Sequence, residues 1–148
     1  MVALCKRKFK AFGDGAEFRP GAYAVGCSKI SLGRRVVIRP GTMLHANPIE
    51  PDYGITIEDD ALLGSGVHIY IDKHRFDDPY VPIIDQRDHA PASVVLKKGC
   101  WIGANVIILP GVTIGENSVV GAGSVVTRSI SDRVLAVGNP ARIMRTLE

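Results

Sequence analysis

Aromatic residues make up only 6% of this chain, with a single tryptophan. A core this poor in rings has to be filled by aliphatic side chains. Cysteine is scarce too, and Cys5, Cys27 and Cys100 are an odd, scattered set. They exclude a disulfide framework and a CxxC metal site, and they fit a reducing compartment. No apolar run approaches the length that spans a bilayer. Met1 to Phe12 lacks the apolar stretch of a secretory signal, so the expected location is the cytoplasm. Strong charge of one sign is also missing: 18 basic and 15 acidic residues leave a net +3. That balance speaks against a nucleic-acid partner.

The chain is instead rich in glycine, with 16 in 148 residues, and 46% hydrophobic. This composition suits one globular domain of short strands and tight turns. Basic residues crowd both ends: Lys6, Arg7, Lys8 and Lys10 at one, Arg128, Arg133, Arg142 and Arg145 at the other. Residues 1–11 read as a loose N-terminal tail, with the inner membrane surface as its alternative resting place. Residues 12–148 read as a single domain.

Internal repetition is the strongest signal. Every sixth residue from Leu96 is a branched aliphatic: Ile102, Ile108, Ile114, Val120 and Val126. Four residues after the first five of these come Cys100, Val106, Val112, Ser118 and Ser124, all small or β-branched. The same pattern runs earlier in broken phases. Phe12, Phe18 and Ala24 form one run, with Ala16, Ala22 and Ser28 as companions. Leu32, Ile38 and Leu44 form a second, with Val36 and Thr42. Ile57, Leu63 and Ile69 form a third, with Ala61 and Val67. Phase breaks fall near Ile30 and across 46–53, where Pro48, Pro51 and Gly54 mark a loop.

A period of six is neither helical nor a simple strand alternation. It demands a short strand and a turn, repeated. Three such flats close a triangular coil of about eighteen residues, and coils stack at about 4.8 Å. Stacking then places Leu96 on Ile114, Ile102 on Val120 and Ile108 on Val126. The expectation is an all-β parallel β-helix. The competing architecture is an antiparallel sandwich with regular turns. Spacing alone does not set the handedness, and general crossover rules favour right-handed connections.

Three blocks carry a family resemblance: ITIEDDALLGSGVHIYIDKH, VVLKKGCWIGANVIILPGVTIGENSVVGAGSVVT and GNPARIMR. In this order they make the chain resemble the hexapeptide-repeat, left-handed β-helix acetyltransferases. Within that family it is most similar to the saccharide O-acetyltransferases of the galactoside, maltose and polysaccharide types. The resemblance implies a left-handed coil, a homotrimer with active sites between subunits, acetyl-CoA as acyl donor and a saccharide acceptor. It implies no metal.

His74 is the expected catalytic base. Hexad order stops after Ile69, and 72–93 holds no hexad but contains Pro79, Pro82 and Pro91. This is an excursion from the coil at about 71–93, and long loops in compact domains usually serve function. His74 stands at its root, where the family places its catalytic histidine. A neutral imidazole suits removal of a proton from a hydroxyl attacking a thioester. Which group orients it is left open among Asp72, Asp77, Asp78, Asp85, Asp88 and a backbone carbonyl. Asn47 resembles the family's active-site asparagine, which would orient the acceptor or polarise the carbonyl; the alternative is an ordinary loop residue before Pro48. His45 and His89 are weaker candidates for touching the acceptor. His68 reads as structural. Trp101 should face outward by its hexad position; the resemblance makes it a wall of the acceptor or pantetheine groove, and packing against the excursion is the alternative.

The resemblance places coenzyme A along Gly103, Ala104, Ala122, Thr127 and Arg128. Small residues there let the backbone approach a thin, amide-rich pantetheine. The nucleotide phosphates would meet Arg142 and Arg145 in the short C-terminal extension.

Other readings stay open. They are N-acetylation of an amino sugar or other amine, a non-catalytic β-helix scaffold, and a zinc hydratase of the γ-carbonic anhydrase type. The last needs three histidines on zinc, and no third partner for His68 and His74 is evident.

Overall fold

The computed structural model describes residues 6–49 and 51–148. The described chain winds into a three-sided parallel coil. One face stacks Ala11–Phe12, Ile30–Leu32, Ile55–Ile57, Val94–Leu96 and Thr113–Ile114. The second runs from Glu17–Phe18 through Val37–Ile38, Leu62–Leu63, Trp101–Ile102 and Val119–Val120 to the C-terminal strands. The third stacks Tyr23–Val25, Met43–His45, His68–Tyr70, Ile107–Ile108 and Val125–Val126.

The register matches the hexad spacing. Leu96 pairs with Ile114, Ile102 with Val120, and Ile108 with Val126. All six of these aliphatics are fully buried along the axis. The companion residues Cys100, Val106, Val112, Ser118 and Ser124 fill the corners and are buried too. Two of them are polar and need partners there. Ser118 Oγ donates to the Ser131 carbonyl at 2.6 Å and accepts from the Val134 N–H at 3.1 Å. Ser124 Oγ does the same between the Gly121 carbonyl and the Gly138 N–H.

Corner geometry explains the glycines. Gly99, Gly111 and Gly123 have positive φ, and Asn105 and Asn117 hold the same conformation at the alternate corners. One left-handed residue per turn lets the strand change face within a few bonds, and Gly and Asn adopt it most cheaply.

The coil's ends are closed differently. At the start, Phe9 is buried, with its ring edge-on to Phe12 and Phe18. Lys10 N–H reaches the carbonyls of Cys27 and Ile30. The expected loose tail is therefore corrected from Phe9 onward: an aromatic plug shields the first coil from water. A second correction concerns Ser28. It is exposed rather than in a corner, because a single 3-10 turn over Cys27–Lys29 breaks the repeat and brings Ile30 into the core. At the far end, Val134–Gly138 pairs in parallel with the second face and folds back on Ala141–Thr146 as an antiparallel hairpin. Among the described residues, no helix is long and apolar enough to cross a membrane.

The chain leaves the third face after buried Ile71 and rejoins the first at Val94. Ala92 N–H donates to the Ile71 carbonyl at 2.8 Å, which ties the two ends of the excursion together.

Candidate active site

The excursion is not a slack loop. Its arms pair at the neck: His74 bridges Asp88, Arg75 N–H donates to the Arg87 carbonyl, and His89 N–H to the Lys73 carbonyl. Gln86 pins the tip, its amide nitrogen donating to the carbonyls of Asp78 and Val81 at 2.9 Å each. Arg75 donates to Asp77 at 2.7 Å and holds that carboxyl below the usual range.

The neck sets the key contact. His74 Nδ1 and Asp88 Oδ1 are 2.6 Å apart. A carboxylate only accepts, so Nδ1 carries the proton and donates it. That leaves Nε2 as the basic nitrogen. The question of what orients His74 is answered by Asp88.

Below the neck, a cleft of about 430 Å³ is lined by His45, Tyr70, Asp72, Lys73, His74 and Asp88. Two of these arrive by strand parity. His45 and Tyr70 are outward-facing neighbours in register on the third face, with ring centroids 5.8 Å apart. His68 is one pleat earlier and shares a 3.1 Å hydrogen bond with the Tyr70 hydroxyl. Asp72 follows Ile71 at the point where the coil opens. Asn47 holds it, donating from Nδ2 to Asp72 Oδ2 at 3.1 Å, while Asn47 Oδ1 accepts from the Ile49 N–H at 2.9 Å. An amide has two N–H groups, so one remains available to a ligand.

The expected site residues thus divide into groups. His74 and His45 line one cleft, and Asn47 reaches it through its hydrogen bond to Asp72. His89 is on the returning arm, bonded to Lys73 through its backbone, and does not line the cleft. Trp101 is half exposed on the second face, stacked between Leu62 and Val119. Gly103, Ala104 and Ala122 form the corner between the second and third faces. Gly103 has no room for a Cβ there, since one would sit 2.6 Å from the Ala122 nitrogen. Thr127 and Arg128 follow the last strand of the third face and are exposed. Arg142 and Arg145 are exposed on the closing hairpin, where, among the described residues, their guanidinium groups hydrogen-bond the backbone carbonyls of Ala141 and Thr146. Within one chain, none of these coenzyme candidates lines the cleft that holds His74.

Sequence reasoning missed Tyr70 outright and left Asp88 among several carboxylates. Parity could have found Tyr70, because it follows inward Ile69 on the last strand before the excursion. Asp88 had no local signal: only the pairing of the two arms brings it to His74.

The model of bacterial transferase hexapeptide repeats (six repeats) matches residues 93–128. The galactoside O-acetyltransferase of Escherichia coli (strain K12) is 33% identical over 148 residues, spanning 98% of this chain and 68% of that protein. The chain belongs to the hexapeptide-repeat acetyltransferase family. Its coil is the left-handed β-helix of that family. A hexapeptide-repeat acetyltransferase from Vibrio cholerae, solved with acetyl coenzyme A, superposes with a TM-score of 0.88 at 30% identity, covering 99% of this chain and 76% of that one. A galactoside acetyltransferase in complex with coenzyme A does so with a TM-score of 0.88 at 31% identity, covering 99% and 70%. Among the described residues of this hexapeptide-repeat acetyltransferase, no group of three or more His, Cys, Asp or Glu is placed to hold a metal ion.

Proposed function

We propose that the protein transfers an acetyl group from acetyl-CoA to a hydroxyl of a saccharide or polysaccharide precursor. The observation that carries this reading is the hydrogen bond between His74 and Asp88 at the mouth of a polar cleft. With Nδ1–H given to Asp88, Nε2 takes the acceptor proton as its oxygen attacks the thioester carbonyl carbon. A tetrahedral intermediate forms. Its C–S bond breaks, and the leaving thiolate recovers the proton from His74. Asp88 stabilises the imidazolium between the two steps. The transfer is direct, and no group of the protein is acylated.

The working unit in this reading is a homotrimer. Trp101, Tyr23 and Ile107 leave large apolar surface exposed on the flat second and third faces. Such surface on a rigid sheet calls for a protein partner. A neighbouring coil would bring the second-face groups, Trp101 and the Gly103–Ala104 corner, to the cleft of the next protomer. Asn47 acts as a positioning residue through Asp72. Thr127, Arg128, Arg142 and Arg145 would hold the coenzyme, the arginines on its phosphates. His89 stays a weaker candidate for the acceptor. Residues 12–148, with the Phe9 plug, form one domain, and the cytoplasm is the compartment that supplies the donor.

The test is release of coenzyme A thiol from acetyl-CoA in the presence of methyl glycosides, compared between the wild type and His74→Ala. Acceptor-dependent release by the wild type, reduced by about 10²–10⁴-fold in the variant, is expected. Equal release by both removes His74 from the mechanism. Sedimentation at a trimer mass is expected, and a monomer would overturn the shared-site reading.

A further inference from the structure

The two oxygens of Asp72 are in different circumstances. Oδ2 is taken by Asn47 at 3.1 Å. Oδ1 faces His45 Nε2 across 3.9 Å, beyond hydrogen-bond reach. The side chain of Asp72 is only 19% exposed. A carboxylate so sheltered gains from a partner on each oxygen. Both sides of the gap are anchored, Asp72 by Asn47 and His45 by the ring of Tyr70. Both also line the cleft that holds His74.

We propose that Asp72 and His45 together take a second hydroxyl of the acceptor, one that is not acetylated. An oxygen about 2.8 Å from each group spans such a gap at roughly a right angle. It would donate to Asp72 Oδ1 and accept from the N–H of His45 Nε2. Only a group that donates and accepts at one atom satisfies both. An ether oxygen lacks the donor, and an ammonium lacks the acceptor. The pair therefore selects a polyol and rejects an otherwise similar acceptor that lacks the second hydroxyl. This builds on the acetyl-transfer reading above and names the substrate feature that the same cleft requires. It also gives Asp72 a task other than orienting His74, which Asp88 already performs.

The experiment has two stages. Thiol release from acetyl-CoA is first measured with the methyl pyranosides of galactose, glucose and mannose. No release with any of them overturns the sugar reading, and this proposal falls with it. The accepted glycoside is then compared with its monodeoxy analogues. One deoxygenation should abolish turnover, marking the acetylated position. A second should raise KM about tenfold to a hundredfold with kcat nearly unchanged, as expected for a lost hydrogen bond to a charged group. In Asp72→Asn, which keeps an oxygen for Asn47, that second penalty should shrink to within about threefold. His45→Phe, which keeps a ring against Tyr70, should behave alike and guards against misfolding of the first variant. A purely structural role would lower kcat on every analogue equally. That pattern, or undiminished discrimination in both variants, overturns the proposal.

Discussion

His74 Nδ1 and Asp88 Oδ1 are 2.6 Å apart although fourteen positions separate them in the chain. The contact exists because the arms of the excursion pair at its neck, with Arg75 bonded to Arg87 and His89 to Lys73. Asp88 therefore sets both the ring orientation of His74 and its tautomer.

Asp88→Asn tests that role. An amide can offer an N–H to Nδ1 and so favour the tautomer whose Nε2 is protonated. The expected result is a fall in kcat of about 10²–10³-fold, inside the range a positioned general base supplies, with KM little changed. The double variant with His74→Ala should be no slower than His74→Ala alone, because the two residues act as one unit. Steady-state kinetics on the four proteins checks this, and additive losses would separate the roles.

Gly103 separates stability from coenzyme binding. A Cβ at this position would meet the Ala122 nitrogen at 2.6 Å and its Cα at 2.9 Å. Both are backbone atoms of the next coil and cannot swing aside. Gly103→Ala should cost about 1–3 kcal/mol, read as a lowered Tm or denaturation midpoint. An unchanged Tm with weakened coenzyme binding would mean that the coils part easily at this corner.

The closing hairpin carries the phosphate prediction. Among the described residues, the guanidinium groups of Arg142 and Arg145 donate to nearby backbone carbonyls at 3.4 Å and 3.3 Å and to no carboxylate, so their charges are available. Replacing both with Ala should raise the Kd for coenzyme A about tenfold or more and flatten its dependence on salt. Isothermal titration at two ionic strengths reports both quantities. An unaltered Kd would move the phosphates elsewhere on the protein.

Cys100 gives a pH prediction. Burial pushes its thiol from 9.0 up to about 12. The folded state keeps the proton over a range where the unfolded chain has lost it, so unfolding releases a proton there. Stability from this group is present in full below about pH 9 and is lost as pH rises toward 12. Cys100→Ala should remove this component of the alkaline fall. A thiol reagent should leave Cys100 unmodified in the native protein and label it in urea, as peptide mass mapping would show. Labelling without denaturant would contradict its burial.

The coil was legible because its physics is local and repeated. Each hexad needs one inward aliphatic and one small corner residue, and both columns run through the chain in the open. The start was harder: Phe9 lies outside any hexad, and its burial depends on where Phe12 and Phe18 come to rest. Ser28 shows the converse, a residue in the right phase that a single 3-10 turn carries out of the corner.

His74 could be read because the repeat fails beside it, and a broken pattern is itself a local signal. Its partner could not. Several acidic residues populate 72–93, and nothing in their spacing tells Asp88, which meets His74, from Asp72, which meets Asn47. Sequence alone determined the three-sided stack and the point at which the chain departs from it, because hydrophobic burial repeats with the chain's own period. The tertiary structure decided which carboxylate serves which base. Hydrogen bonds between side chains act over about 3 Å, and only the folded arms bring such distant positions that close.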